Sequence, residues 1–171
     1  VFRTSWVYGR RGRNFLLTMQ RLARERPEIR VVDDQTGTPN WCRELARATA
    51  RIASRGLPWL AERSGLYHMS ATGSTTWYGF ARAILADAAP VRVVPITTAE
   101  YPTPAHRPAY GVLGTARGDA FCDAYGVKKS GNFEHGTTQL VDVARRERAR
   151  FAAERAHLLE VRARRIPPAT D

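Results

Sequence analysis

"NFLLTMQRLARERPEIRVVDDQTGTPN", residues 14–40, is the stretch whose reading decides the fold. Asn14 is a good helix N-cap, and Phe15, Leu16, Met19, Leu22 and Ala23 recur at helical spacing on one face. Pro27 stops that helix. A short apolar run, Ile29 to Val32, then reads as a strand that ends in Asp33, Asp34 and Gln35. Residues 36–40 are a turn by composition. A helix that hands over directly to an apolar strand is the repeating unit of α/β proteins.

The same alternation extends in both directions. Upstream, residues 2–8 read as one strand that brings Trp6 and Tyr8 to the lip of a cleft. Downstream, a helix is expected from about Trp41 to Arg55, with Leu45, Thr49, Ile52 and Ala53 inward and Gly56 as its stop. After a linker around Pro58, residues 65–70 form another strand. The loop 72–77 then caps a helix whose inner face is Trp77, Phe80, Ala81, Ile84 and Leu85, ended by Pro90. Residues 91–96 are the next strand. No hairpin signal interrupts the series, so parallel pairing is expected throughout.

Residues 100–111, "EYPTPAHRPAYG", form a stiff extended connector, because each proline fixes its own φ and restrains its predecessor. His106 and Arg107 are its polar candidates. A short helix from Thr115 to Ala124 is capped by Gly126, residues 127–138 are loop, and an Arg-rich helix runs from about Gln139 to Arg165. The chain thus divides into residues 1–138 and a helical tail, residues 139–171.

Composition narrows the function. The 171 residues suffice for one domain with a real core, and no apolar run approaches the roughly 18–20 residues needed to span a bilayer. Cys42 and Cys122 share no metal-ligand spacing with the four histidines and read as free thiols of a reducing cytosol, so the expected location is cytoplasmic. A net charge of +11 points to an anionic partner. Eight arginines against three glutamates between Arg145 and Arg165 carry nearly half of that excess. With Phe151 as their only stacking aromatic, they read as a solvated helix surface rather than a nucleic-acid arm.

Four stretches taken together resemble the dTDP-4-dehydrorhamnose reductases, a family of extended short-chain dehydrogenase/reductases. They are "FRTSWVYG", residues 14–40, "GLYHMSATGSTTWYGFA" and "EYPTPAHRPAYGVL". The resemblance covers about residues 1–126. It implies an α/β, partial Rossmann-type fold that lacks the N-terminal cofactor-binding strands and carries a long C-terminal helix. It also implies reduction of the 4-keto group of dTDP-4-dehydro-6-deoxy-L-mannose by NADPH or NADH. The family's glycine-rich turn and Y-x-x-x-K pair precede the strand at residues 2–8, so this chain is expected to be inactive alone and to bind no cofactor alone. The family admits Mg2+ and a homodimer, and neither membrane nor nucleic acid is expected as a partner.

The resemblance implies a nucleotide-sugar contact for Trp6 at its strand end. Arg107 has the planar fork that binds diphosphate oxygens bidentately. Asn14, Gln35 and Gly37 are rim candidates. Against these stand core readings for Trp77 and His68, and arginine pairing for Asp33 and Asp34. Tyr125 and Lys129 have the family's catalytic spacing but lack a cofactor turn upstream. Gly111, Gly114 and Gly118 follow no apolar strand and so make no dinucleotide fingerprint.

The chain departs from the family at "PNWC", where Asn40 and Trp41 replace a threonine or similar small residue. It departs again at "GVLGTARGDAF", where Gly114 and Gly118 each cost about 1 kcal/mol of helix stability relative to alanine. Two other readings remain open: a related nucleotide-sugar epimerase or dehydratase, and a non-catalytic basic protein that binds nucleic acid. The strands at 2–8 and 65–70 are expected to lack partners, leaving open edges prone to association.

Overall fold

The structure is a computed structural model and describes residues 1–86 and 91–124. The Gly126 cap, the Tyr125/Lys129 pair, Pro90 as a helix stop, the loop at 127–138 and the Arg-rich helix at 139–165 lie outside the described residues.

The helix and the strand read in residues 14–32 hold. Helix α1 is Phe15–Glu25, capped by Asn14, whose Oδ1 accepts from the Leu17 N–H at 3.2 Å. The same side chain donates from Nδ2 to the carbonyls of Gly9 (2.9 Å) and Arg11 (3.2 Å), folding the Arg-rich loop onto the helix start. Strands β1 (Phe2–Arg3) and β2 (Val7–Tyr8) precede α1, and β3 (Glu28–Val32) follows it. Next come β4 (Thr36–Gly37), β5 (Asn40–Trp41), α2 (Cys42–Ala53) and α3 (Leu57–Glu62). Strands β6 (Tyr67–His68) and β7 (Thr75–Thr76), helix α4 (Trp77–Leu85), β8 (Arg92–Ile96) and α5 (Ala116–Ala124) complete the order. A 3-10 turn, Thr98–Glu100, sits just beyond β8.

The central pair is β3 with β8, parallel and in register from Glu28↔Arg92 to Val32↔Ile96. Pro95 has no N–H to donate, which suits a strand hydrogen-bonded on one side only. Helix α4 packs on both strands and on α1. Phe80 and Ala81 are fully buried there, joined by Ile84, Leu85, Leu16, Met19, Ile29 and Val31. Burying a side chain of the Phe80 or Ile84 kind contributes about 1.5–3 kcal/mol, so α4 is the keel of the core.

Six expectations need correction. Residues 36–40 are no plain turn, since Thr36–Gly37 and Asn40–Trp41 are strands. Residues 2–8 are two short strands, because Trp6 adopts a left-handed φ of 42° that breaks the extended run. Those strands also find partners within the chain. β1 pairs in parallel with β6, and β2 with β5. Parallel pairing is not universal either: β4 and β7 are antiparallel, Thr36 opposite Thr76. The segment around Pro58 is a helix, with proline in its first turn where the missing N–H costs nothing. Finally, α2 buries Ala48 and Ile52, while Thr49 and Ala53 are exposed and Leu45 is half-buried.

The acidic end of β3 is tied to the 3-10 turn rather than to arginines. The Thr98 N–H donates to both Asp34 carboxylate oxygens at 2.9 Å, and Thr98 Oγ1 donates to Oδ1 at 2.6 Å. Thr76 Oγ1 donates to Asp33 Oδ1 at 2.5 Å. The Thr98 bonds hold the Asp34 carboxyl below its ordinary value of 3.8. The Thr97 N–H and hydroxyl, with Arg30 adding a smaller share, hold Glu100 below 4.5. Depressed carboxylates contribute stability above those ordinary values and lose it as pH falls below them. The urea midpoint should therefore drop between about pH 5 and about pH 3, and the drop should shrink in Asp34→Asn. An equal drop in both proteins would contradict this role for Asp34.

Candidate functional site

The β4–β5 connection, the 3-10 turn and the start of α4 meet beyond the carboxyl ends of β3 and β8. Open α/β sheets place ligands at such an end. Three of the five candidate residues converge here. The Trp6 indole stacks on Trp77 with ring centroids 3.6 Å apart and planes 12° apart. It also lies against Gly37: a Cβ added at that position would overlap Trp6 Cε2 and stand 2.6 Å from Cζ2. Only glycine lets the ring sit there. Gln35 then joins the group, accepting at Oε1 from Trp77 Nε1 (3.3 Å) and donating from Nε2 to Thr98 Oγ1 (2.9 Å).

A bulky residue at positive φ is a genuine outlier that costs roughly 1–3 kcal/mol unless its surroundings hold it. Here they do. The Asn40 N–H donates to the Trp6 carbonyl at 3.1 Å, and Asn40 Nδ2 donates to the Ser5 carbonyl at 2.8 Å. The stack itself contributes about 0.5–1.5 kcal/mol. Trp6 remains half-buried, so the indole keeps part of its surface towards solvent.

Arg107 is exposed, on a segment tied to the same turn. The Thr36 N–H donates to the Ala109 carbonyl and the Gly111 N–H to the Thr36 carbonyl, both at 2.8 Å. The connector therefore runs beside β4, and no ion-pair partner occupies Arg107 among the described residues. Asn14 stands apart as the cap of α1, next to Phe15, whose ring centroid is 4.7 Å from that of Trp77.

Several residues sit differently from their sequence readings. Trp77 is half-buried at the rim of the core and stacked on Trp6, not sealed inside. Its position as the first residue after the Thr76 cap was the available signal, since a helix start here faces the strand ends. His68 is half-buried and its Nδ1 lies 2.9 Å from the Gly114 carbonyl, so it fastens the segment before α5. Gly118 allows α5 to close on β6, because an added Cβ would collide with the His68 carbonyl. Sequence reasoning missed Thr98 as a site residue. Burial pushes the Tyr8 phenol well above its ordinary value, with Cys42 and Glu44 adding to the shift, which leaves it a neutral core residue.

Three parallel strand pairs packed with helices, the central one β3 with β8 under α4, define an α/β, Rossmann-like protein. The chain belongs to the dTDP-4-dehydrorhamnose reductase family: residues 1–145 match the family described as "RmlD substrate binding domain". It is 45% identical over 140 residues to a dTDP-4-dehydrorhamnose reductase of Burkholderia thailandensis, spanning 75% of this chain and 46% of that protein. It is 40% identical over 124 residues to the Escherichia coli K12 reductase, 68% of this chain and 41% of that one. A crystal structure of the Bacillus anthracis reductase in complex with NADP superposes with a TM-score of 0.69 at 35% identity. That match covers 81% of this chain and 46% of the other. The chain thus spans about half the length of these relatives.

The Trp6–Gly37 contact can be tested by adding one methyl group. Gly37→Ala should displace the indole and lower unfolding free energy by about 1–3 kcal/mol, the usual cost of overpacking. Urea unfolding reads this directly, and an unchanged midpoint would show that the ring does not rest on residue 37.

Proposed function

We propose that this chain forms the nucleotide-sugar wall of an NAD(P)H-dependent dTDP-4-dehydrorhamnose reductase, with dTDP-4-dehydro-6-deoxy-L-mannose as the ligand. The observation that carries the reading is the Trp6–Trp77 stack on Gly37, set beside the Arg107 segment at the carboxyl ends of the strands. A thymidine-diphosphate sugar needs a flat apolar surface and a cation within reach of it. The part of the Trp6–Trp77 pair left towards solvent offers the first. Arg107 offers the second, since a guanidinium meets the roughly two negative charges of a diphosphate bidentately.

Gln35 and Gly37 shape the rim in this reading, and Asn14 sets the start of α1 beside it. Both ends of the Gln35 amide are engaged by Thr98 and Trp77. Its role is then to orient Trp77, with base reading secondary.

Neither Gly111 nor Gly118 fits a dinucleotide site. A pyrophosphate cradle needs a glycine turn between a strand and a helix start. Gly111 instead bonds the turn at Thr36, and Gly118 lies inside α5 against the His68 carbonyl. We therefore assign hydride transfer to residues of the reductase beyond this stretch, and no turnover to this chain by itself. Among the described residues no group of three histidine, cysteine or acidic side chains could hold a metal ion. No helix among them is long and apolar enough to cross a membrane. The free thiols of Cys42 and Cys122 support a cytoplasmic location for the working enzyme.

Calorimetry with dTDP tests the wall. The wild-type chain should bind, Trp6→Ala should weaken binding by about tenfold or more, and Arg107→Ala should weaken it and flatten its salt dependence. Absence of dTDP binding by the wild-type chain would overturn the proposal. So would ketosugar-dependent oxidation of NADPH by this chain alone.

A further inference from the structure

We propose that Asn40 is the positioning residue that holds Trp6 in its ligand-facing conformation, an inference that rests on the nucleotide-sugar reading above. Asn40 is 1% exposed, and its polar atoms are spent on one junction. Its Nδ2 donates to the carbonyls of Ser5 (2.8 Å) and Thr38 (2.9 Å) and reaches Ser70 Oγ at 3.2 Å. Its Oδ1 accepts from the Ala71 N–H at 2.7 Å, and its own N–H donates to the Trp6 carbonyl at 3.1 Å.

Two of these bonds go to the carbonyls on either side of the Trp6 nitrogen and Cα, at Ser5 and at Trp6 itself. Together they fix the two peptide planes that define the left-handed φ of 42°. The remaining bonds anchor the clamp to the loop after β6 and to the turn that carries Gly37. One buried amide therefore couples the backbone of Trp6 to the floor its ring rests on. A threonine here would keep the backbone bond to Trp6. It has no second donor with which to hold Ser5 while also meeting Thr38 and Ala71. An amide at this position is thus a device for aiming the indole, not merely a filled core site.

The readout is the Trp6 ring current at Gly37. The indole lies against the Gly37 α-carbon, so a Gly37 α-proton should resonate far upfield in the wild-type chain. In Asn40→Ala and Asn40→Asp that displacement should fall by half or more, while most other amide shifts stay in place. The aspartate keeps the shape and the acceptor for Ala71 but, ionised, donates to neither carbonyl. Acidification should restore part of the shift in Asn40→Asp, because a protonated carboxyl regains one donor. Ser70→Ala, which removes a partner not touching Trp6, should leave the shift unchanged.

An unaltered Gly37 shift in Asn40→Ala would overturn the inference. Loss of the whole spectrum in both Asn40 variants would overturn it as well, since Asn40 would then be a general core residue. Affinity for dTDP separates this inference from the reading beneath it. A wild-type chain that binds no dTDP sinks the proposed function, whatever the Gly37 proton does. Binding that stays constant while the shift collapses removes the link between Asn40 and the ligand.

Discussion

A tryptophan held at positive φ is the constraint on which this end of the molecule depends. Left to itself, the backbone of residues 2–8 would continue as a strand, and the indole of Trp6 would alternate to one face of it. The left-handed turn instead swings the ring across Gly37 and onto Trp77. Strain of roughly 1–3 kcal/mol is comparable with what an aromatic stack and two hydrogen bonds return. The conformation is therefore held by its neighbours and not by Trp6 itself.

Those neighbours are rigid for reasons that lie deeper in the fold. Trp77 opens α4, whose start is fixed by Thr76 Oγ1 accepting from the Gly79 N–H at 3.0 Å and whose body is sealed by Phe80 and Ile84. Gly37 belongs to β4, which is pinned on one side by β7 and on the other by the proline-rich connector. Gln35 and Asp34 tie the end of β3 to the 3-10 turn. A strained residue set on a frame of this kind can present its ring to a ligand at little further entropic cost, which is how preorganised sites gain affinity.

The parts legible in the sequence are those with long periodic signals. Helix α1, strand β3, strand β8 and helix α4 each carry enough apolar repeats to declare their class, and the Asn14 cap is plain from its place before Phe15. What escaped has a physical pattern too. Strands of two residues, as in β4 and β7, are too short to show any period, so their antiparallel pairing follows only from tertiary packing. Pro58 reads as a linker unless its tolerance in a first helical turn is weighed. The break at Trp6 is hidden because positive φ is usually announced by glycine. Within the site, Trp6, Gln35 and Gly37 were visible and do come together. Trp77 was hidden by its helical spacing with Phe80, and Asn40 showed only as a departure from a family pattern, without its four-way bonding.

The central claim is that a thymidine-diphosphate ligand lies on the Trp6–Trp77 surface. The most direct measurement is a nuclear magnetic resonance titration of the chain with dTDP that follows indole and backbone amide signals together. The largest shifts should fall on the Trp6 and Trp77 indole N–H groups, on Gly37 and on the backbone around Arg107. Shifts confined to the Arg10–Arg13 loop, or to the crevice that Ala48 and Ile52 of α2 form with Gly118 and Phe121 of α5, with both indoles silent, would contradict it.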